Sequence, residues 1–457
     1  MTIKLKQQAI FLTVFLFLFL AAANLHAASF TVNNNGDADD AGAGNGVCET
    51  AAGNGICTLR AAITESNALA GNDVVNFASG ITSISSAAGQ MTINSNINIT
   101  GPGANVLTVQ NARAFSATSR VFNITGGTVG ISGITISGGN AGGSGGGIFS
   151  TGNLTLTGCV VSGNRSSSFG GGIRTDAGIL TIIGSTISNN STSSGSNGAG
   201  GIDNGATMNL INSTVSGNSS TVAPGTGGVW SNGITYIVNS TITDNNGAAG
   251  GDAAGGLYRF GTNVFTVLNT IVAGNRNNAA VPDIFGTFVS TGNNIIGNRG
   301  TATGFANNTN GDKVGETGAG NQIDPMLGTL ANNGGRTLTH IPLTGSPAID
   351  AGNNCVFNNT CTPSVGFPLL TDQRGATRQF DGGAFAPQAL NTDIGAVEFG
   401  ALTPTAANVS ISGRVLTTEG AGLRNAIVYL TDGNGNTRKA QTGSFGNFMF
   451  DGIEAGE

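Results

Sequence analysis

Phe149, Arg174, Asp203, Trp230 and Tyr258 each follow a Gly-Gly-aliphatic triplet, at Gly146-Gly147-Ile148, Gly171-Gly172-Ile173, Gly200-Gly201-Ile202, Gly227-Gly228-Val229 and Gly255-Gly256-Leu257. If the triplets are equivalent, these five side chains form one outward column of mixed charge and aromatic surface. Two readings fit it. Flat rings beside polar groups suit the apolar face and hydroxyl edges of a sugar, which makes the column a candidate glycan-binding strip. Alternatively, the aromatics merely cover a glycine corner, and Arg174 over Asp203 is a stacked ion pair, worth little if exposed. Glycoside hydrolysis needs two carboxylates about 5 to 9.5 Å apart. Asp176, Asp203, Asp244, Asp252 and Asp283 do not share a repeat position. A calcium-dependent lyase needs clustered acidic ligands and a basic proton acceptor, and the repeats carry no such cluster. No catalytic residue is assigned.

Outside the repeats, Asp37, Asp39 and Asp40, with Glu49 nearby, could hold Ca²⁺ through oxygen ligands or be a solvated acidic turn. Cys48 and Cys57 lie nine residues apart around a Gly-Asn-Gly turn, and Cys355 and Cys361 six apart, so two local disulfides are the economical pairing. Metal ligation is the rival use of these pairs, but no compact Cys/His set accompanies them. Cys159 aligns with Ser185, Ser213, Ser240 and Thr270 and reads as a small stacked residue. No other cofactor is implied.

The elements that must position these residues follow from the period. The aliphatic residues of the triplets step by 25, 29, 27 and 28 residues, and the closing Asn164, Asn190, Asn218, Asn245 and Asn275 by 26, 28, 27 and 30. Three and eight residues before each Asn stand aliphatic side chains, Val161 and Leu156 in the first repeat, among Ser, Thr, Gly and Asn. That alternation is a half-buried strand. About three strands per repeat close one coil of a parallel β-helix, stacked about 4.8 Å apart, right-handed by the rule for parallel crossovers. Asn at one corner is expected to form a hydrogen-bonded ladder along the stack, and the 76 glycines to serve corners with positive φ. Leu59 to Ala68, with Ala70, has helical spacing and is expected to plug one end.

Lys4, Lys6 and the apolar run Ala9 to Ala23 before Leu25-His26-Ala27-Ala28 read as a secretory signal peptide, against the rival of an N-terminal membrane helix. No other segment reaches membrane-spanning length. Export would permit disulfides. The 18 basic and 24 acidic residues give −6, and losing both leader lysines leaves 16 against 24. With Lys313 and Lys439 the remaining lysines and no basic cluster, nucleic acid is excluded as a partner.

Cys57-Thr58-Leu59-Arg60-Ala61-Ala62-Ile63, followed by Glu65 and Asn67, resembles the Cys-Ser-Leu-Arg-Glu-Ala motif domain of secreted bacterial β-helix proteins, departing at Thr58 and Ala61. Asp324-Pro325-Met326-Leu327-Gly328, Asn333-Gly334-Gly335-Arg336, Ser346-Pro347-Ala348-Ile349-Asp350, Asp372-Gln373-Arg374-Gly375 and Asp393-Ile394-Gly395-Ala396-Val397-Glu398 resemble the choice-of-anchor type Q region. His340, Asp350, Asp372 and Arg374 lie in or beside these strings and read as structural. Val409 to Val415, Ala426 to Leu430 and Gly443 to Phe450 resemble the first strands of a carboxypeptidase regulatory-like β-sandwich, which is expected to continue beyond Glu457. The resemblance implies a secreted or surface-displayed protein and transfers no catalytic residues.

The expected organisation is a signal peptide at 1–27, an N-terminal cap at 28–80, a pectin-lyase-like β-helix at 81–300, a capping or anchor-type region at 301–400, a linker at 401–408 and a partial β-sandwich at 409–457. The expected function is structural or adhesive display outside the cell or on the bacterial surface or outer membrane, with an extracellular polysaccharide or surface protein as partner. The alternative is a polysaccharide lyase or glycoside hydrolase.

Overall fold

The computed structural model describes residues 27–457 except 112–118, 194–197, 222–224, 249–253, 278–281, 319, 363, 365, 379–390, 402–408, 418–421, 432–436, 444–446 and 454–457. The expected signal peptide and nearly all of the expected linker therefore lie outside the described residues.

The chain is an all-β solenoid: a parallel β-helix. Each repeat contributes a three-residue strand (Ile148–Ser150), a five-residue strand (Asn153–Thr157) and a second three-residue strand (Val160–Ser162). Like strands pair in parallel from coil to coil, forming sheets of eight, ten and ten strands. The expected three strands per coil are one too few. After the closing Asn, a two-residue strand such as Arg165–Ser166 or Ser191–Thr192 builds a further sheet of six. The Asn corner leaves the next two residues extended and beside their equivalents, so they pair before the loops diverge.

The interior is one continuous aliphatic column in which Leu156, Ile182, Leu210, Ile237 and Val267 stack without exposure. Polar ladders stitch its corners. Nδ2 of Asn164 donates to Oδ1 of Asn190 (3.0 Å), and the pattern continues through Asn218, Asn245 and Asn275 at 2.9 Å each. It ends on Asp283, whose Oδ1 accepts from Asn275 Nδ2 at 2.9 Å. A second ladder runs from Cys159 N–H to Ser185 Oγ and on through Ser213, Ser240, Thr270 and Asn294 to Asp312. Both ladders end at a carboxylate. That terminus takes only acceptor duty, since an ionised carboxylate has no proton to pass on.

The glycine pairs serve close approach more than positive φ. A Cβ on Gly172 would lie 2.8 Å from Gly201 O and 2.9 Å from Asn190 Nδ2, so the triplet is small because the Asn ladder lies against it.

At the N-terminal end, Ser29–Val32 pairs in parallel with Asn72–Phe77, and the helix Leu59–Ala68 buries Leu59, Ala62 and Ile63 over the first coils. Thr58 caps it, its hydroxyl accepting from Ala61 N–H at 3.0 Å. Ala70, expected on the buried helical face, lies beyond the helix and is exposed. Arg60 pairs with Asp37 at 2.8 Å and donates to Gly89 O and Gln90 O, tying the long loop to the coil. Disulfides join Cys48 to Cys57 and Cys355 to Cys361. Beyond residue 400, Val409–Arg414 pairs antiparallel with Asn447–Ile453, and Ile427–Thr431 with Thr437–Gln441. Among the described residues, no helix is long and apolar enough to cross a membrane.

Candidate functional site

The register of the eight-stranded sheet places the predicted column as read: Phe149 beside Arg174, Arg174 beside Asp203, Asp203 beside Trp230, Trp230 beside Tyr258. Asn123 and Phe285 extend it by one coil at each end.

Its exposure is not as expected. Trp230 and Tyr258 each retain 7% of their surface and Asp203 none, while Phe149 and Arg174 are half-buried. The rings stack on one another, Trp230 on Tyr258 at 6.4 Å and Tyr258 on Phe285 at 5.1 Å, and Phe260 covers Trp230 at 5.7 Å. Aromatic area gains more from ring-to-ring burial across coils than from water, so the strip closes on itself. The guanidinium groups are absorbed similarly: Arg120 lies 5.1 Å over Phe149, and Arg174 5.1 Å over Phe169.

The stacked ion pair forms as read, and it is shielded from solvent. Arg174 bridges exposed Asp176 and fully buried Asp203. Burial pushes the Asp203 carboxyl up to about 7, against the opposing pull of Arg174. Such a value suits a general acid, but the carboxyl has no solvent face through which to reach a glycosidic oxygen. Asp283, also buried and raised to about 7 by desolvation, is consumed by the ladder.

The acidic N-terminal residues diverge. Asp37 faces Arg60, Asp39 accepts from Thr64 Oγ1, Asp40 accepts from Gly42 and Glu49 N–H, and Glu49 from Gly53 N–H. Among the described residues, no three His, Cys, Asp or Glu side chains converge as a metal site. Cys159 is buried, and desolvation lifts its thiol to about 11, leaving it protonated and unreactive at neutral pH.

The structural role read for His340, Asp372 and Arg374 is borne out, and what the sequence reading missed is its form: a polar seam where described residues between Leu327 and Glu398 lie along the coils. His340 Nδ1 donates to Gly328 O (2.7 Å), which leaves Nε2 to accept from Ser216 Oγ (2.8 Å). Burial lowers its pKa and keeps it neutral. Gln373 bridges Thr214, Thr186 and Thr337. Arg374 chelates Asp372, whose Oδ2 also accepts from Glu398 N–H. At the centre, wholly buried Arg378 donates to Asn212 Oδ1 at 2.6 Å and lies 3.5 Å from Glu398. Burial drives Glu398 up to about 9 and Asp393 to about 7. The acidic and cationic residues of these strings are thus docking groups. Sequence signal for this exists in part: the turn residue changes from Gly to Asn in the later coils, where Asn212, Asn269 and Asn293 bond to the segment.

No family model matches the chain, and no curated protein matches it. Among solved structures, the crystal structure of pectate lyase Pel9A is similar, at a TM-score of 0.44 and 15% identity over 82% of this chain and 98% of that chain. The likeness is one of β-helix architecture and assigns no activity.

Proposed function

We propose that the chain is an exported β-helix scaffold with a structural or adhesive display role, facing an extracellular polysaccharide or surface protein. The observation that carries this reading is where the reactive side chains go. The repeated Asn and Ser columns are bonded coil to coil, and Asp203, Asp283, Asp393 and Glu398 are buried against backbone N–H groups or arginines. A rod knitted this way supports itself and presents a largely uncharged exterior. Both disulfides accord with an oxidising compartment. Of the five-residue strip, Phe149 and Arg174 keep enough surface for a ligand to touch. The resemblances to the secreted motif domain, the choice-of-anchor region and the regulatory-like sandwich support surface display.

The test is a panel of uronate and neutral polysaccharides and of intact cells, scored in the same samples for binding and for release of reducing or unsaturated ends. Binding without product is expected. Product release would replace the scaffold reading with the lyase or hydrolase alternative.

A further inference from the structure

The five-residue strands alternate outward at their first, third and fifth residues, and the third and fifth positions form two columns. Register aligns Thr155, Thr181, Asn209, Tyr236 and Thr266 in one outward column, and Ile183, Ile211, Val238 and Leu268 in the next. The apolar column is covered by Val356 and Cys361, from the loop that the Cys355–Cys361 disulfide closes, and by Leu369 beyond it. That loop therefore stands as a wall along the polar column. Between them lies a cleft of about 400 Å³, with Thr181, Asn209 and Tyr236 as its floor, Ile211 and Val238 at the foot of the wall, and Ser364 and Phe367 above.

Three features specify an occupant. First, among the described residues no charged side chain lines the cleft, so an anion would surrender its hydration there for no counter-charge. Second, it offers two aromatic rings, and Phe367, just beyond the disulfide-closed loop, keeps 38% of its surface. Unlike Trp230 and Tyr258, whose neighbours are other rings, Tyr236 has Asn209 and Thr266 beside it in the register and is half-buried. Third, the polar groups are hydroxyls and an amide: Asn209 Nδ2 donates to Thr181 Oγ1 at 3.3 Å, a long bond that a better acceptor would displace. Exposure falls along the column from exposed Thr155 to buried Thr266. The cleft is open at the Thr155 end and closed at the other.

We propose that this cleft binds a neutral polysaccharide, one pyranose ring lying against Tyr236 and Phe367 with its hydroxyls on Asn209, Thr181 and Ser364. The chain enters from the Thr155 side and runs along the rod axis. The proposal rests on the adhesive reading above and gives it a site and a ligand class.

Isothermal titration of the disulfide-intact protein with cello-, xylo- and manno-oligosaccharides, and with oligogalacturonate as the charged counterpart, tests it. A neutral oligosaccharide is expected to bind, and Tyr236→Ala and Phe367→Ala each to weaken it about tenfold, with Tyr236→Phe close to wild type. Both side chains are partly exposed, so the variants are expected to keep the wild-type melting temperature. Neutral binding unchanged in both alanine variants would overturn the cleft and leave adhesion standing. Preference for oligogalacturonate would overturn the neutral class. Binding to cells but to no glycan would remove the glycan ligand and leave a protein partner.

Discussion

Two halves of one turn column share a backbone and differ in side chain. Gly133, Gly158 and Gly184, then Asn212, Asn239, Asn269 and Asn293, all take positive φ between 45° and 61°, each joining the five-residue strand to the next. Each N–H bonds forward to the following coil, as Gly158 does to Ile183 O and Asn239 to Leu268 O. At Gly158 and Gly184 there is open space where a side chain would stand, with nothing within 4 Å of an added Cβ, whereas a Cβ on Gly133 would lie 2.7 Å from Gly101 O. In the asparagine half three of the four side chains hold the C-terminal segment, while Asn239 Oδ1 accepts from Asn269. Asn212 binds Thr371 O and Arg378, Asn269 exchanges bonds with Asn353, and Asn293 donates to Ala351 O. Glycine satisfies the left-handed conformation alone, while asparagine satisfies it and offers an amide. The choice between them marks where the turn side chain itself bonds to the segment; at Gly184 the segment bonds to the backbone carbonyl instead, through Thr337 Oγ1. A groove of about 470 Å³ lies where the glycine half meets the segment's edge at Arg336 and Arg374.

The sharpest way to break this contrast is Arg378→Met. It deprives the buried Asp393 and Glu398 of their cation, and a destabilisation of about 3 kcal/mol is expected. Hydrogen exchange should show protection lost in the Asn212 to Asn293 turns and kept at Gly133 and Gly158. Equal loss in both halves would mean that the segment holds the whole rod.

Next in size is Asn269→Ala, expected to cost about 2 kcal/mol, because it loses its amide bonds and strains a φ of 48°. Asn269→Gly should cost about half as much, and Gly158→Asn under about 0.5 kcal/mol, all read from urea unfolding.

The halves should also separate by pH. Asp393 and Glu398 have folded pKa values raised to about 7 and about 9, so the folded state holds protons that the unfolded chain releases. Their contribution is complete below the ordinary carboxyl range and is lost as pH rises through about 7 and then about 9. Melting temperature should fall between about pH 4 and pH 9, and Glu398→Gln should flatten the upper part of that fall. An unchanged slope would place the titration elsewhere.

The smallest effect is expected from calcium. Asp37, Asp39, Asp40 and Glu49 already have separate partners at the far end of the rod. Added calcium or chelator should move the melting temperature by less than about 1 °C, and a larger rise would reopen the metal reading.

Much of the fold was legible because it is local and repeated. The alternation around Val161 and Leu156, the Asn column, both disulfides and the helix after Cys57 need only near neighbours and a period. The candidate strip was legible in register and not in exposure. Nothing near Trp230 in sequence says that Phe260 will fold over it, or that Phe285 will extend the ring stack beyond Tyr258. Tyr236 and Phe367 lie 131 positions apart in sequence, and only the folded loop brings them to one cleft.

By itself the sequence determined a coil: a repeat of about 27 residues, the residues facing inward, and the stacking of like on like, because each coil's partner is a copy of itself. Tertiary structure alone decided which outward residues meet water. That choice depends on contacts such as Ser216 with His340 and Thr214 with Gln373, 124 and 159 residues apart. A repeat carries no information about a segment that does not share its period.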